Sequence, residues 1–492
     1  MQATVQVLRF WHEHAGNAMG SARVLLQAAD TLTGRNSPGA TEAAAQYYQA
    51  VGALPLPDAD LTALARLHES RVRLSLSELE IEAQANLHRV LELTEGLAAT
   101  LPQESLQHRE ALVLGRIAGR RLVILRGEPR PDPGPEQEFF RAAADWFPTG
   151  SEGRGWCLLA EGHLLHGQTG DLNEPTSQLQ RAIRLYVDGF FHFPADSPLR
   201  GICRFHEGVA QQSLANHSSD WQAVLRCALA RYEEAAAYLP SGSVLQGRCW
   251  CFEAGLRVSL AALDQDVYRN LGRATELYLQ AIPCFPAGSE PRGRCLLDTA
   301  LAYEVLAQRL YDPVANRTRA ATYFVEAADC FPPASELWAT CLAGEARLRY
   351  EMAQARKGAA ADLDQPGEQL ARALSCFPSP TEDRGEALRT QSLVFAEMAR
   401  RGRDTEQNWD RACASLAEAA ACYPPETEGR GLCLLHMAQI CLELAGQGRR
   451  RAENLRRAVA GFEEAGRHLP VGCGNWTVSR LNEALARELL AE

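Results

Sequence analysis

The stretch YVDGFFHFPADSPLRGICRFHEG, residues 186–208, places a proline between an aromatic-rich segment and a serine followed by an Arg-Gly pair. A similar stretch recurs as YLQAIPCFPAGSEPRGRCLLDTA at 278–300 and as LAEAAACYPPETEGRGLCLLHMA at 416–438. Its proline returns every 46 residues, at Pro102, Pro148, Pro194, Pro240, Pro286, Pro332, Pro378, Pro424 and Pro470, and Pro55 lies 47 residues before the first of these. A fixed period of about 20–50 residues is the signature of a repeat array. We therefore predict units that stack through one fixed geometry.

Each repeat contains a predicted corner between two helices. The proline ends one helix, because it has no N–H and biases the preceding residue away from helical geometry. The residue three positions later is a good N-cap, whose side-chain oxygen accepts a hydrogen bond from a free N–H of the next helix. These residues are Asp58, Ser105, Ser151, Ser197, Ser243, Ser289, Ser335, Thr381 and Thr427.

The two helices of each repeat carry matched packing positions. The helix before the proline has an alanine, a bulky residue four positions later and a small residue three after that, as in Ala182, Tyr186 and Gly189. These spacings place all three on one helical face. The bulky series is Tyr186, Tyr232, Tyr278, Phe324, Leu370, Leu416 and Phe462. The helix after the corner has its own small series, which is Gly162, Gly208, Ala254, Ala300, Ala346, Ser392 and Ala438. Small residues beside large ones predict close helix packing.

The pattern A-x3-[FY]-x2-A-x4-P resembles the second helix and closing proline of the tetratricopeptide (TPR) repeat, and the small residue of the first helix also matches. The usual TPR repeat has about 34 residues, so each repeat here is longer. Four of the extra residues precede the small position of the first helix and eight follow it. Since four residues make about one helical turn, both helices can lengthen with their faces in phase. Long repeats with a Pro-x-x-Ser corner also resemble the arrays attached to bacterial CHAT-type proteases, although no protease domain is found here.

We accordingly predict an all-α protein, a TPR-like right-handed α-solenoid of about ten helix pairs plus a C-terminal capping helix. Residues 1–492 are expected to form one continuous solenoid, with divergent repeats at 1–133, regular repeats at 134–470 and the capping helix at 471–492. The capping helix has an apolar stripe of Val478, Leu481, Leu485 and Leu489, with polar residues on its other faces. We expect this one-sided helix to close the end of the array.

Composition and charge exclude several classes of protein. The net charge of −11 disfavours a general nucleic-acid or anionic-membrane binder. We find no apolar run of about 18 residues, the length needed for a membrane span, and no secretion signal at the N-terminus. Most of the 15 cysteines fall at or near repeat positions, which predicts that they are small residues of the core. Unpaired cysteines in this number fit a reducing compartment, so we expect a cytoplasmic protein.

No catalytic or cofactor-binding motif is evident. The chain has no GxSxG, GxGxxG or kinase-type signature. His163 and His166 lie three apart beside Glu161 and could hold a metal, but there is no HExxH motif and no third ligand in the sequence around them. We predict no catalytic residue, no cofactor and no metal site, and therefore not an enzyme.

Arg-Gly pairs recur just after the corners, at 154–155, 200–201, 292–293, 384–385 and 430–431. One interpretation is a basic stripe that binds an acidic partner. The other is structural: the arginine pairs with an acidic neighbour such as Glu152 or Glu428, and the glycine permits close packing. We favour the structural interpretation.

Candidate partner-binding residues follow from the TPR resemblance, which implies that the first helices line a concave face. By register, the lining includes Trp156, His163, Phe205, Arg248, Arg294, Arg347, Tyr350, Arg389 and Gln439. These positions vary from repeat to repeat while the packing positions do not. Variation on a repeating scaffold is typical of a binding groove.

Two functions fit these patterns. The favoured one is a non-catalytic scaffold, adaptor or regulatory subunit that binds a protein or peptide, such as a protease-type effector, in its concave groove. The alternative is a structural protein that self-assembles into rings or filaments, and homo-oligomers fit either function. Neither nucleic acid nor membrane is an expected partner.

Overall fold

The structure is a computed structural model that describes residues 18–33, 38–54, 56, 58–129, 132–168, 175–263, 265–356, 360–378 and 380–491. Pro55, the first proline of the corner series, lies outside the described residues. The described part of the chain contains 21 α-helices and two short 3-10 turns, with no strand. None of these helices is long and apolar enough to cross a membrane.

The helices follow one another in pairs, each with a first helix A and a second helix B. In chain order they are α1 (Ala18–Thr33), α2 (Pro38–Gly52), α3 (Ala59–Glu78), α4 (Ala83–Thr100), α5 (Leu106–Leu125), α6 (Pro133–Ala144), α7 (Glu152–Gly167), α8 (Thr176–Phe190), α9 (Pro198–Ala215), α10 (Trp221–Tyr238), α11 (Val244–Ala262), α12 (Val267–Ala281), α13 (Glu290–Gln308), α14 (Pro313–Ala328), α15 (Glu336–Ala355), α16 (Asp364–Leu374), α17 (Glu382–Arg400), α18 (Thr405–Cys422), α19 (Glu428–Gly446), α20 (Arg451–His468) and α21 (Gly474–Ala491). Helices α1 to α20 form ten pairs, and α21 follows the last pair. The predicted all-α solenoid of ten pairs and one terminal helix is confirmed.

The chain divides into two compact units, Met1–Phe285 and Pro286–Glu492. The first unit contains α1 to α12 and the second contains α13 to α21. Within each unit, every A helix packs on its own B helix, and neighbouring A helices also contact one another directly, as α5 does with α7 and α17 with α19. The A helices therefore line one side of each unit, which we call the A side. That both units form one continuous right-handed array stays a prediction.

The predicted corners form as expected. All nine residues of the N-cap series lie at the N-cap of an A helix. The hydroxyl of Ser335, for example, accepts a hydrogen bond from the backbone N–H of Trp338 at 3.2 Å. Ser151 and Thr427 instead donate to the carbonyl of the corner proline three residues earlier, at 2.7 and 2.9 Å. Each corner is thus braced by its own polar side chain.

The core consists of the predicted packing series. Every residue of the bulky series is buried, and so is every residue of the small series on the A helices. A Cβ added to Gly162 would lie 2.7 Å from the ring of Tyr186, and one added to Gly208 would lie 2.9 Å from the ring of Tyr232. The A helix therefore needs glycine where an aromatic ring of the B helix crosses it closely.

The Arg-Gly pairs have a structural role, as the favoured interpretation predicted, and the arginines pair with acidic residues, although these are Asp145 for Arg154 and Glu418 for Arg384 rather than Glu152 and Glu428. A Cβ on Gly155 would lie 2.9 Å from the ring of Phe193, which precedes the next corner proline. The guanidinium of Arg154 donates to the carbonyl of Ala144 at 3.2 Å, and that of Arg384 donates to Leu374 at 2.6 Å. Both acceptors lie at the C-terminal end of a B helix, where carbonyls lack partners within the helix. The arginine thus joins consecutive repeats.

A further repeat series supports the turn between A and B helices, and the sequence analysis did not use it. Its members are Asn86, Asn270, Asn316, Asn408 and Asn454, which are separated by 46 residues or a multiple of 46. Each asparagine amide donates to the carbonyl five residues earlier, at 2.6–2.9 Å. The residue four before each asparagine has a φ of 39–41°, in the left-handed region. The amide therefore holds a backbone conformation that non-glycine residues adopt only at a cost.

The terminal helix α21 packs with a different face from the one predicted. Ser479, Glu483 and Ala486 are buried against the array, and the Ser479 hydroxyl donates to the carbonyl of Phe462 at 2.8 Å. Small side chains at 479 and 486 let α21 approach α20 closely. The apolar stripe instead faces solvent, with Val478 39%, Leu481 66% and Leu485 44% exposed. The expectation that this stripe closes the array is therefore wrong.

The cysteines follow the predicted pattern of small core residues. All 15 are free thiols; nine are buried, five are half-buried and Cys227 is exposed. Burial raises the pKa of the Cys157 thiol to about 12, which keeps it protonated at neutral pH. Such thiols are poor nucleophiles and poor metal ligands.

Candidate functional site

The A side of the second unit carries an open groove. It encloses about 270 Å³ and is lined by residues of four helices and one corner, including Leu301 on α13, Phe324 on α14, Gly344 on α15 and Phe377 after α16. A Cβ on Gly344 would lie 2.6 Å from the Phe324 ring, so glycine lets this ring reach the floor of the groove. Leu301 is 42% exposed at its edge. The groove therefore offers apolar surface among the A helices α13, α15 and α17 and the B helix α14.

Charged residues line the same groove. Arg347 projects from α15 and forms an ion pair with Glu304, one of whose hydrogen bonds is 2.6 Å long. Burial alone would lower the pKa of Arg347, but the hydrogen bond and charge of Glu304 outweigh it and raise that pKa. Because Glu304 is buried, this pair fixes the Arg347 side chain.

A second ion pair lies on α17, where Arg389 binds Glu386. Glu386 also accepts a hydrogen bond from the Tyr423 hydroxyl at 2.7 Å. Desolvation alone would raise the pKa of the Glu386 carboxyl, but the hydrogen bond and charge of Arg389 and the hydrogen bond from Tyr423 outweigh it and lower that pKa, so the group stays ionised. Arg347, which lines the groove, and Arg389, whose partner Glu386 lines it, are thus both engaged by carboxylates rather than free to bind an anion.

The A side of the first unit is largely filled by its own residues. Helix α3 contacts α9 directly, and Glu80, just after α3, forms an ion pair with Arg248 at the start of α11. The guanidinium of Arg248 also lies 5.7 Å from the ring centroid of Phe205. Residues that are distant in sequence therefore meet across the A side of this unit.

A cavity of about 330 Å³ remains within the first unit, between helices α1, α2 and α3 and the N-terminal ends of α7 and α9. Arg71 crosses its wall with two hydrogen bonds to Glu110, at 2.5 and 2.7 Å. The Tyr48 hydroxyl donates to Asp30 at 2.5 Å. Burial lowers the pKa of His68, and Arg71 lowers it further. The charged groups of this cavity are thus mostly matched with one another.

His163 lies further along the A side of the first unit, next to two residues that are remote in sequence. Its ring centroid is 4.2 Å from that of His206 on α9. The ligand atoms of His163, His206 and Glu78 all lie within 4.8 Å of one another. His166 instead approaches the Ser213 hydroxyl, with a 3.3 Å separation, and Glu161 binds Arg141 and Arg181. The structure thus supplies a second and third neighbour for His163 that the local sequence does not.

The remaining predicted residues differ in accessibility. Trp156 and Tyr350 lie in the core, at 1% and 5% exposure, and the Trp156 ring packs edge-on against Phe193. Arg294 is well exposed and hydrogen bonds to Glu290 one turn earlier. Gln439 is half-buried on α19. Partner binding by any member of the predicted set stays a prediction, and the structure groups Arg347 and Arg389 at one groove and His163, Phe205 and Arg248 on the other unit.

The fold and these surfaces define a TPR-like helical-repeat protein. Among solved structures, the chain is similar to yeast Tom70 (13% identity over 95% of this chain and 96% of that chain, TM-score 0.31). It is also similar to a human IFIT1 dimer with m7Gppp-AAAA (14%, 92% and 87%, TM-score 0.38) and to the TPR domain of P58(IPK) (12%, 86% and 98%, TM-score 0.26). At these values no function transfers from them to this chain. No protein-family model matches the sequence, and no curated protein matches it significantly.

Proposed function

We propose that the protein is a non-catalytic interaction scaffold that binds a peptide segment of a partner protein in the groove of the second unit. The observation that carries this proposal is the partly exposed Leu301 beside the Phe324 ring, in a groove where the buried carboxylate of Glu304 fixes Arg347. Apolar pockets with a few fixed polar groups are typical of ligand-binding sites. An apolar side chain of the partner would occupy the pocket.

The charges at the groove favour a partner segment with basic residues. Arg347 and Arg389 are matched by Glu304 and Glu386. Asp383, in contrast, is exposed at the groove and forms no ion pair within the described part of the chain. A lysine or arginine next to the apolar anchor would face this carboxylate. Exposed charge pairs of this kind contribute more to association rate and specificity than to affinity.

We expect Leu301→Glu to weaken peptide binding by at least about tenfold, since placing a charge against the apolar side chain of the bound peptide should cost more than about 1.4 kcal/mol. The probe is a set of linear peptides selected from a phage-displayed random library on the parent protein. Affinities are then measured by fluorescence anisotropy at fixed salt. The selected sequences should combine an apolar residue with lysine or arginine.

Val314→Glu is the matched control. Val314 is apolar and 69% exposed, but it begins the B helix α14 and lies outside the groove. This variant should bind the peptides like the parent. If the library yields no binding peptide, or if Leu301→Glu and Val314→Glu bind alike, the groove is not the binding site.

An adaptor or regulatory role in the cytoplasm is part of this proposal, and its support is the sequence pattern. A protease-type effector is one partner that the resemblance to long bacterial repeat arrays implies. The proposal includes no catalytic step.

The exposed stripe of α21 favours self-association as a second candidate function, with another copy of this chain as the occupant. Val478, Leu481 and Leu485 lie one turn apart on one helix face, as in helix pairs that bury apolar residues against each other. We expect the double change Leu481→Asp and Leu485→Asp to convert a dimer to a monomer in size-exclusion chromatography with light scattering. Val471→Asp, at an 84% exposed site before α21, should leave the dimer intact. A parent protein that is monomeric at micromolar concentration excludes this function.

A further inference from the structure

Three A helices of the first unit bring one carboxylate and two imidazoles to the same point. Glu78 is the last residue of α3, His163 lies in the middle of α7 and His206 lies in the middle of α9. One potential ligand atom from each lies within 4.8 Å of the other two. Helix α9 contacts α3 as well as α7, so the cluster sits where the second, fourth and fifth helix pairs meet.

The cluster contains polar atoms that lack partners. The Nε2 atom of His163 is shielded from solvent and has no hydrogen-bond partner within the described residues. The same holds for the hydroxyl of the fully buried Tyr186, whose ring is stacked on that of His206. Buried polar atoms nearly always have a partner in folded proteins. An orphaned imidazole nitrogen beside a carboxylate and a second imidazole therefore indicates a missing ligand.

We propose that Glu78, His163 and His206 bind one divalent first-row transition-metal cation, with Zn²⁺ as the best match. Two imidazoles and one carboxylate form a donor set that zinc accepts, with a fourth position left for water or another oxygen. Imidazole ligands disfavour Mg²⁺ and Ca²⁺, which prefer oxygen donors.

Arg121 on α5 is the competitor for this site. It forms an ion pair with Glu78, and another of its nitrogens donates to the carbonyl of Ser77 at 3.1 Å. In the metal-free protein the guanidinium thus neutralises a buried carboxylate. A bound cation would share or displace that contact. Since its ligands come from three helix pairs, the cation would hold helices α3, α7 and α9 together on the A side of the first unit.

Cobalt titration of the purified metal-free protein tests the proposal. Co²⁺ occupies zinc sites, and its visible absorption reports coordination geometry, while thiolate ligands add an intense charge-transfer band in the near ultraviolet. We expect one equivalent of Co²⁺ to bind with the spectrum of a nitrogen and oxygen site and no thiolate band. One equivalent of Zn²⁺ should then displace it and raise the melting temperature.

Ligand variants identify the site. His163→Gln and His206→Gln should each lower Co²⁺ affinity by at least tenfold, the order of loss that changes in metal sites commonly cause. His217→Gln is the control, because His217 is exposed beyond the end of α9 and should leave the titration unchanged. Far-ultraviolet circular dichroism checks that each variant is folded.

Arg121→Gln distinguishes a metal site at Glu78 from a general effect of misfolding on metal binding. Removal of the guanidinium leaves Glu78 without its counter-charge, so the metal-free variant should melt at a lower temperature than the parent. The same change frees the carboxylate, so Co²⁺ should bind more tightly and Zn²⁺ should raise the melting temperature more than in the parent. A misfolded variant cannot show that gain.

Three outcomes overturn the proposal. The first is that no stoichiometric Co²⁺ binding occurs. The second is a thiolate band, which would assign the binding to cysteines. The third is binding that His163→Gln and His206→Gln leave unchanged, or that Arg121→Gln weakens.

Discussion

Replacing Tyr232 by alanine is expected to lower the free energy of unfolding of its part of the first unit by about 3–5 kcal/mol, the usual cost of removing a buried aromatic ring. Tyr232 is fully buried on α10. Its ring covers Gly208 on α9, where an added Cβ would lie 2.9 Å away, and it contacts the rings of Phe205 and Phe252. Backbone and rings surround this site, so the cavity left by alanine cannot collapse easily.

The loss should be local. In a repeat array each pair contacts mainly its neighbours, so a defect weakens one region rather than the whole chain. Unfolding of such arrays is often not two-state. We would therefore measure native-state hydrogen exchange, in which amides of α9 and α10 should lose protection while those of the terminal pairs keep it.

Two matched variants serve as controls. One removes the hydroxyl of Tyr232 and keeps its ring, and the other removes the ring of an exposed tyrosine. The Tyr232 hydroxyl donates to Gln212 at 3.0 Å, so Tyr232→Phe should cost only about 1 kcal/mol. Tyr268→Ala removes a ring that is 57% exposed on α12, and it should change stability by no more than about 0.5 kcal/mol. Equal losses of protection in Tyr232→Ala and Tyr268→Ala would contradict the assignment of Tyr232 to the core.

The fold was predictable from the sequence because its determinants are local and repeated. A corner needs only a proline and an N-cap three residues later, and both lie within one window of sequence. The meeting of Gly208 with Tyr232 also recurs at a fixed separation, as Gly162 with Tyr186. One missed determinant, the asparagine series, was equally visible at the same period. The asparagines are polar, so neither the apolar nor the small-residue series includes them.

The candidate sites were less predictable, because they depend on contacts between residues that are far apart in sequence and do not recur with the repeat. Glu80 lies 168 residues from Arg248, its ion-pair partner, and no sequence spacing predicts that meeting. Glu78 and His206 reach His163 in the same way, through helices of different pairs. The register also places Trp156 on the concave lining, yet the ring lies in the core. That ring packs edge-on against Phe193 at the next corner, a contact that the register within one helix does not predict.

The stripe on α21 shows why a pattern of apolar residues does not by itself determine which face is buried. Val478, Leu481 and Leu485 form the more apolar face, yet Ser479 and Ala486 allow the closer approach to α20. Glu483 is tolerated in that interface because Arg480 and Arg487 bind it at 2.8 and 2.6 Å. Close packing and paired charge together outweighed the burial of leucine.

The second unit is expected to lose stability as the pH falls, through His436 on α19. Burial, together with the charge of nearby Arg389, lowers the pKa of His436 to about 4, although the charge of Glu386 opposes the shift. Its Nδ1 atom has no hydrogen-bond partner within the described residues, so the protonated ring gains no acceptor there. In the unfolded chain a histidine has a pKa of about 6.5.

Acid destabilises the folded unit because the pKa of His436 is lower in the folded unit than in the unfolded chain. As the pH falls below about 6.5, the unfolded chain takes up a proton that the folded unit does not, so acid favours unfolding. The loss grows until the folded pKa is reached and amounts to about 3 kcal/mol at pH 4, at 1.36 kcal/mol per pKa unit. The contribution is therefore present above about pH 6.5 and is lost between about pH 6.5 and 4.

A comparison of His436→Gln with the parent protein tests whether His436 causes the loss of stability in acid. Hydrogen exchange of α19 amides, corrected for the intrinsic pH dependence of exchange, gives the local opening free energy at pH 7 and at pH 4. The drop between these two values should be smaller in His436→Gln than in the parent by about 3 kcal/mol, because the glutamine does not titrate. Other titrating groups are common to both proteins and cancel in the comparison. The exposed His217→Gln change should leave the drop unaltered. If His436→Gln shows the full parental drop, the acid sensitivity of this unit arises elsewhere and His436 is not held neutral by burial.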